Sequence, residues 1–115
     1  MTRLLALPPT QWRGFLDRLS KAVLLGKQAE VEVASLDLGD QIVAEWIPLI
    51  GITYDSRDDL VDVALDGTNR LIRQPREIVV EEGPTGVTSF AVVDAEGARQ
   101  IVRLRNPLML PPAQE

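Results

Sequence analysis

Large apolar residues fall at Trp12, Phe15, Leu16, Leu19 and Val23, with Arg13, Asp17, Arg18 and Lys21 between them. Steps of three and four lay one apolar stripe along a helix and turn the charged residues toward water. Thr10, after Pro9, offers a hydroxyl to cap the first turn. Gly26 offers a stop, and Lys21 and Lys27 suit the negative end of the helix dipole. The spacing predicts a helix over residues 10–25.

Beyond Gly26 the period changes to two. Ala29, Val31 and Val33 alternate with Glu30 and Glu32, the pattern of a strand with one wet face. "QIVAEWIPLIGITYD" continues as extended chain, but Pro48 has no N–H for a ladder and marks an edge, a bulge or a break. Strands are expected near 40–47 and 49–54. "LVDVALDG" is the next strand, "DGTN" a turn, "RLIRQPR" a further extended stretch and "EIVVEE" another strand. The last hairpin is the best specified. "VTSFAVV" and "RQIVRLR" flank a loop of Ala95, Glu96 and Gly97, with Gly97 in the left-handed position. That register sets Phe90 opposite Val102, Val92 opposite Gln100 and Thr88 opposite Leu104, and sends Arg99, Arg103 and Arg105 to the other face. "NPLMLPPAQE" reads as a Pro-rich tail over 106–115.

The expected fold class is therefore α+β: an N-terminal helix packed on a mainly antiparallel sheet, or small barrel, of about six strands. The chain of 115 residues suits one domain, with the helix at 10–25, a β-rich region at 28–105 and the tail behind it. A hydrophobic share of 45% beside 25% charged residues is that of a globular protein rather than a disordered one.

Composition narrows the chemistry. The sequence has no cysteine and no histidine. Disulfides, thiolate or imidazole metal sites, and Ser-His or Cys-His catalysis are excluded. The expectation is a non-enzyme with no cofactor. The apolar run before Pro8 is too short for a signal-peptide core, and no stretch approaches the roughly 20 apolar residues of a membrane span; the expected location is the cytoplasm. Charge is uneven: residues 1–28 carry five basic and one acidic side chain, residues 29–68 one and ten, and residues 69–115 six of each. An acidic middle argues against a phosphate backbone as the main partner.

Three clusters are candidates for contact. Arg70, Arg73 and Arg76 stand at every third position; along a continuous strand Arg70 and Arg76 share a face and Arg73 points the other way, and Gln74 before Pro75 disfavours a helix that would align all three. Strand-edge ion pairs or a protein interface are the expected role. Asp55, Asp58, Asp59, Asp62 and Asp66 gather oxygen ligands, but without the spacing and terminal Glu of a calcium loop they read as a solvated acidic turn. Leu108, Met109 and Leu110 would expose apolar area in a free tail, which suggests docking on the body or across a two-fold axis. Trp12, on the helix stripe, and Trp46, in a mostly apolar strand, both read as core, while a Trp left half-exposed would be an interface anchor.

The blocks "LGDQIVAEWIPLIGITYD", "LIRQPREIVVEEG" and "VVDAEGARQIVRLRNPLMLP", with the helix before them, resemble a family of small bacterial proteins classed as a domain of unknown function. The resemblance covers nearly the whole chain and implies a bacterial, cytosolic, single-domain protein with no activity attached. The layout of a helix, "LLGKQAEVEV", a Gly-Asp turn and "LIRQPREIVV" is also similar to Sm-like RNA-binding barrels, although the Asp and Asn loop of that family is not clearly present. Together these readings favour a protein-interaction or homodimeric structural domain. A Sm-like or SH3-like barrel binding nucleic acid is the alternative, and binding of a small ligand or divalent cation the weaker one. The expected partner is a second copy or another protein, not a membrane.

Overall fold

The computed structural model describes residues 3–23, 27–35, 39–84 and 86–108. A short strand β1 (Arg3–Ala6) leads through a 3-10 turn (Pro9–Gln11) into helix α1 (Trp12–Val23). Seven strands follow: β2 (Gln28–Ser35), β3 (Gly39–Asp55), β4 (Leu60–Leu65), β5 (Thr68–Arg73), β6 (Pro75–Gly83), β7 (Gly86–Asp94) and β8 (Arg99–Leu108). They form one eight-stranded sheet in the order β1-β6-β7-β8-β2-β3-β4-β5, with each pair of neighbours antiparallel.

The α+β class holds, but the sheet has eight strands rather than about six and is not closed into a barrel. Its outer strands, β1 and β5, do not pair with each other. β1 escaped the sequence pattern because four residues paired on one side only leave too short an alternation to see. The two strands expected around Pro48 are one strand with a sharp corner.

That corner organises the molecule. β3 pairs with β2 through Gly39–Pro48 and with β4 through Leu49–Asp55. Near the end of the β2-paired stretch, in the irregularity between Ala44 and Ile47, Trp46 takes φ 47°, a left-handed backbone that a bulky residue seldom adopts, and is 37% exposed there rather than in the core as expected. The backbone groups there are bonded: the Pro48 carbonyl accepts from the Asp66 N–H at 2.9 Å, and the Leu49 N–H donates to the Lys27 carbonyl at 2.8 Å. Pro48 itself needs no donor partner, which is why it fits at the turn of the strand.

Past the corner, the edge of β3 that faced β2 is taken by the helix. The Ser20 hydroxyl donates to the Ile52 carbonyl and accepts from the Ile52 N–H at 2.7 Å, so one side chain stands in for a neighbouring strand. Ser20 packs against Gly51 of the same strand, where a Cβ would sit in ordinary contact with Ser20 Oγ at 3.6 Å. The helix stripe behaves as its spacing predicts. Trp12, Phe15, Leu16 and Leu19 are buried in a core shared with Ile52, Val61 and Val63 of the β4 side and Val80, Phe90 and Val102 of the β6–β8 side. Trp12 Nε1 donates to the Leu7 carbonyl at 3.0 Å, and its ring meets Tyr54 edge-on at 5.4 Å. Val23 ends the helix; Gly26 lies outside the described residues. Thr10 does not cap it, because the chain enters through the 3-10 turn, whose leading residue Pro8 has no capping side chain.

The β7–β8 hairpin follows the expected register as far as Phe90 opposite Val102 and Val92 opposite Gln100, with Gly97 at φ 86° and the Asp94 N–H donating to Ala98 O. Thr88 does not face Leu104. The register shifts there, so that Ser89 faces Arg103 and Val87 faces Leu108. The shift lets Asn106, Pro107 and Leu108 continue β8, where a tail was expected from 106. Pro107 falls in the irregular stretch, where its missing N–H breaks no regular ladder.

Phe15, 5% exposed, anchors the helix. Phe15→Ala is expected to lower unfolding free energy by about 3–5 kcal/mol in denaturant melts. Ser20→Ala leaves the Ile52 N–H and carbonyl without their partner. The expected loss is about 1–3 kcal/mol, accompanied by faster hydrogen exchange at the Ile52 amide than at Val63 opposite it.

Candidate functional site: an exposed face and an open strand edge

The inward residues of β6, β7 and β8 alternate with outward ones, and the outward ones on β7 are small. Ser89 and Ala91 recede between Val79 and Glu81 on one side and Ile101 and Arg103 on the other. The result is a groove of about 540 Å³ on the sheet's outer face, also lined by Leu4, Trp46 and Arg99. Leu4 is 70% exposed. Arg99 makes no ion pair among the described residues.

Arg103 is held in place by two carboxylates from β2. Its guanidinium lies 2.6 Å from Glu32 and 3.3 Å from Glu30, and both keep it protonated. The register explains the meeting, since Glu30 sits opposite Arg103 and Glu32 opposite Ile101 on adjacent strands. The Arg103 hydrogen bond holds the Glu32 carboxyl below its ordinary range, and Asp40, on β3, lowers it further. Asp40 itself is pushed up, first by its hydrogen bond with Glu32 and then by desolvation.

The neighbouring part of β3 is exposed on both faces. Gly39, Asp40, Gln41, Ile42 and Val43 are all exposed in sequence, as are Glu45 and Trp46. Here β3 pairs with β2 on one side only. Ile42 is 46% exposed, Trp46 37% and, beyond the corner, Ile50 54%. The Arg105 guanidinium lies 5.8 Å from the Trp46 ring centre, within cation–π range, and donates to Gln28 Oε1 at 2.7 Å.

The arginine triad does not gather. Arg70 is half-buried, and its Nε points to the Oε1 of the buried Gln100 at 3.4 Å. Arg73 is exposed at the end of β5. Gln74 then takes φ 52°, a corner that ends the strand, so alternation counted through it does not carry to Arg76. Arg76 is the extra residue of a bulge between Pro75 and Glu77 in β6. Of the apolar tail candidates, Leu108 closes β8, and Met109 and Leu110 lie outside the described residues. The acidic cluster serves its own turn: Asp55 accepts from the Arg57 and Asp58 N–H groups, Asp59 from the Tyr54 hydroxyl at 2.9 Å and Asp62 from Asn69 at 2.9 Å. Burial and the Asp59 hydrogen bond both push the Tyr54 phenol up. No group of three or more acidic side chains among the described residues is placed to hold a metal ion. The helix touches the acidic turn where Arg13 Nη2 donates to Ser56 Oγ at 3.4 Å.

The groove and the open edge were not singled out in the sequence. The signal for the groove was present in Ser89 and Ala91, small residues alternating with Phe90 and Val92. The edge had none, because only the sheet order shows which side of β3 lacks a neighbour.

The fold and its exposed surfaces are those of an α+β protein built on one open antiparallel sheet, and no helix among the described residues is long and apolar enough to cross a membrane. The chain belongs to DUF5335, a family of unknown function, whose model matches residues 4–113. It is 39% identical over 107 residues to an uncharacterized protein of the bacterium Aquifex aeolicus (strain VF5), covering 92% of this chain and 96% of the relative. No solved structure matches it.

The Glu32–Asp40 pair carries a sign for acid stability. Because Asp40 has a raised pKa, its charged form is penalised in the folded protein. That penalty is full above its folded pKa and absent below its ordinary 3.8. Asp40→Asn should therefore raise stability at neutral pH, and the difference should vanish as pH falls below 3.8. The depressed Glu32 works the other way: its contribution is present above its ordinary 4.5 and lost as pH falls through its lower folded value. Thermal melts of wild type and variant across this range, with carboxyl titration by NMR, measure both.

Proposed function

We propose that this protein is a non-catalytic interaction domain that associates with itself as a homodimer. The observation that carries the reading is the exposure of Ile42, Val43, Trp46 and Ile50 along one strand. Apolar side chains scattered singly over a surface need no explanation, but here four fall on one element, one of them a half-exposed Trp of the kind that anchors interfaces.

The chemistry of the side chains supports the non-catalytic part. The chain has no histidine or cysteine, and three carboxylates of the acidic turn are engaged in hydrogen bonds with their own loop and strands. The dispersal of Arg70, Arg73 and Arg76 favours a protein partner over a nucleic acid, since a phosphate backbone is held by basic groups gathered on one surface.

Sedimentation equilibrium at micromolar concentration is expected to give about twice the 12.7 kDa chain mass. The same sample, in filter binding at low salt with mixed RNA and DNA, should retain none. A monomer at every concentration would remove the reading, and salt-dependent retention of nucleic acid would replace it with the alternative.

A further inference from the structure

We infer that two copies of this chain pair through the open edge of β3, antiparallel across a two-fold axis at Ile42, so that their sheets run on as one. The inference rests on the self-association proposed above and names the surface that makes it.

A strand edge with free N–H and carbonyl groups is a template for another strand, and proteins blunt such edges with short strands, charges or coverings. The three available edges differ in this respect. β1 is only four residues long. β5 carries Arg70 and Arg73 along its six residues. The β3 edge carries seven residues from Gly39 to Glu45 before the Trp46 corner, with Gln41, Ile42, Val43 and Ala44 uncharged at its centre. No described strand lies on its outer side.

Symmetry restricts the register. Residues opposite each other in an antiparallel pair point to the same face, and a two-fold axis normal to the sheet leaves each residue on its face. One residue must therefore face its own copy. Pairing the whole stretch from Gly39 to Glu45 puts Ile42 there. Gln41 then faces Val43, Asp40 faces Ala44, and Gly39 faces Glu45. Neither acid meets an acid, so the pairing matches the stretch to itself in length without setting like charges directly opposite. The apolar Ile42 side chains meet at the axis, and the left-handed Trp46 ends the ladder on both sides.

The absence of native cysteine makes the test direct. In the full chain, Ile42→Cys would put two thiols at the Cα separation of directly opposed residues, about 4.5–5.5 Å, which a disulfide spans. Mild oxidation is expected to give a covalent dimer of Ile42→Cys and to leave Leu71→Cys, on β5, and Ile50→Cys, beyond the corner, monomeric on non-reducing gels. Ile42→Lys, with a circular dichroism spectrum like that of wild type, should raise the dimer dissociation constant severalfold by opposing two ammonium groups. If the wild type sediments as a dimer but the Ile42→Cys variant keeps its thiol free, or all three cysteine variants cross-link alike, the edge pairing is wrong and self-association stands. A wild type that sediments as a monomer overturns both.

Discussion

Strand β3 has to change neighbours partway along its length, and the corner at Trp46 to Leu49 is where it does so. A left-handed Trp costs on the order of 1–3 kcal/mol of backbone strain. The surrounding hydrogen bonds, from Asp66 to Pro48 and from Leu49 to Lys27, over-determine the geometry. Because the two halves of the strand pair on opposite sides, each has one side left without a strand. The second half is completed by Ser20 of the helix, which couples the docking of α1 to the bend. Among the described residues the first half has no such cover, and the exposed edge follows from the same corner.

The outer face next to that edge is charged but internally balanced. Arg103 is shared between Glu30 and Glu32, and Asp40 sits against Glu32 on the next strand. Ion pairs in contact with solvent add little to stability on their own. Their larger effect is to hold long side chains in one arrangement along the groove wall. Arg105, drawn to the face of Trp46 and to Gln28, does the same at the corner. Arg99 is left without an ion pair on this face among the described residues, so the groove keeps one free cation among its apolar walls.

What could be read from the residues depended on the range of the interaction. The helix stripe from Trp12 to Leu19, the alternation of Ala29 and Val31, and the Gly97 loop are set by neighbours a few positions away, and the structure has them as expected. The Thr88 register failed because a shift in β8 depends on how Val87 meets Leu108, which local alternation does not encode. The parity of Arg70 and Arg76 failed at Gln74, where tertiary structure holds a backbone that no local signal announced. Strand count and closure depend on partners far along the chain, such as Leu4 with Glu81. The exposed edge is harder still to foresee, since it is defined by a neighbour that is not there.

The sheet order has a consequence for the protein's synthesis. The central pairing joins β2 to β8, and Glu30 and Arg103 meet across 73 positions. β1 likewise waits for β6. As the chain leaves the ribosome, β2, β3 and β4 can pair locally, but the outer side of β2 stays open until β8, the last strand, has emerged. Folding dominated by such distant contacts is slow, and the waiting intermediate shows unpaired backbone and apolar side chains to its surroundings. Glu30, Glu32, Asp40 and Glu45 lie along β2 and β3 and give them a net negative charge. Arg103 neutralises part of that charge only when β8 arrives.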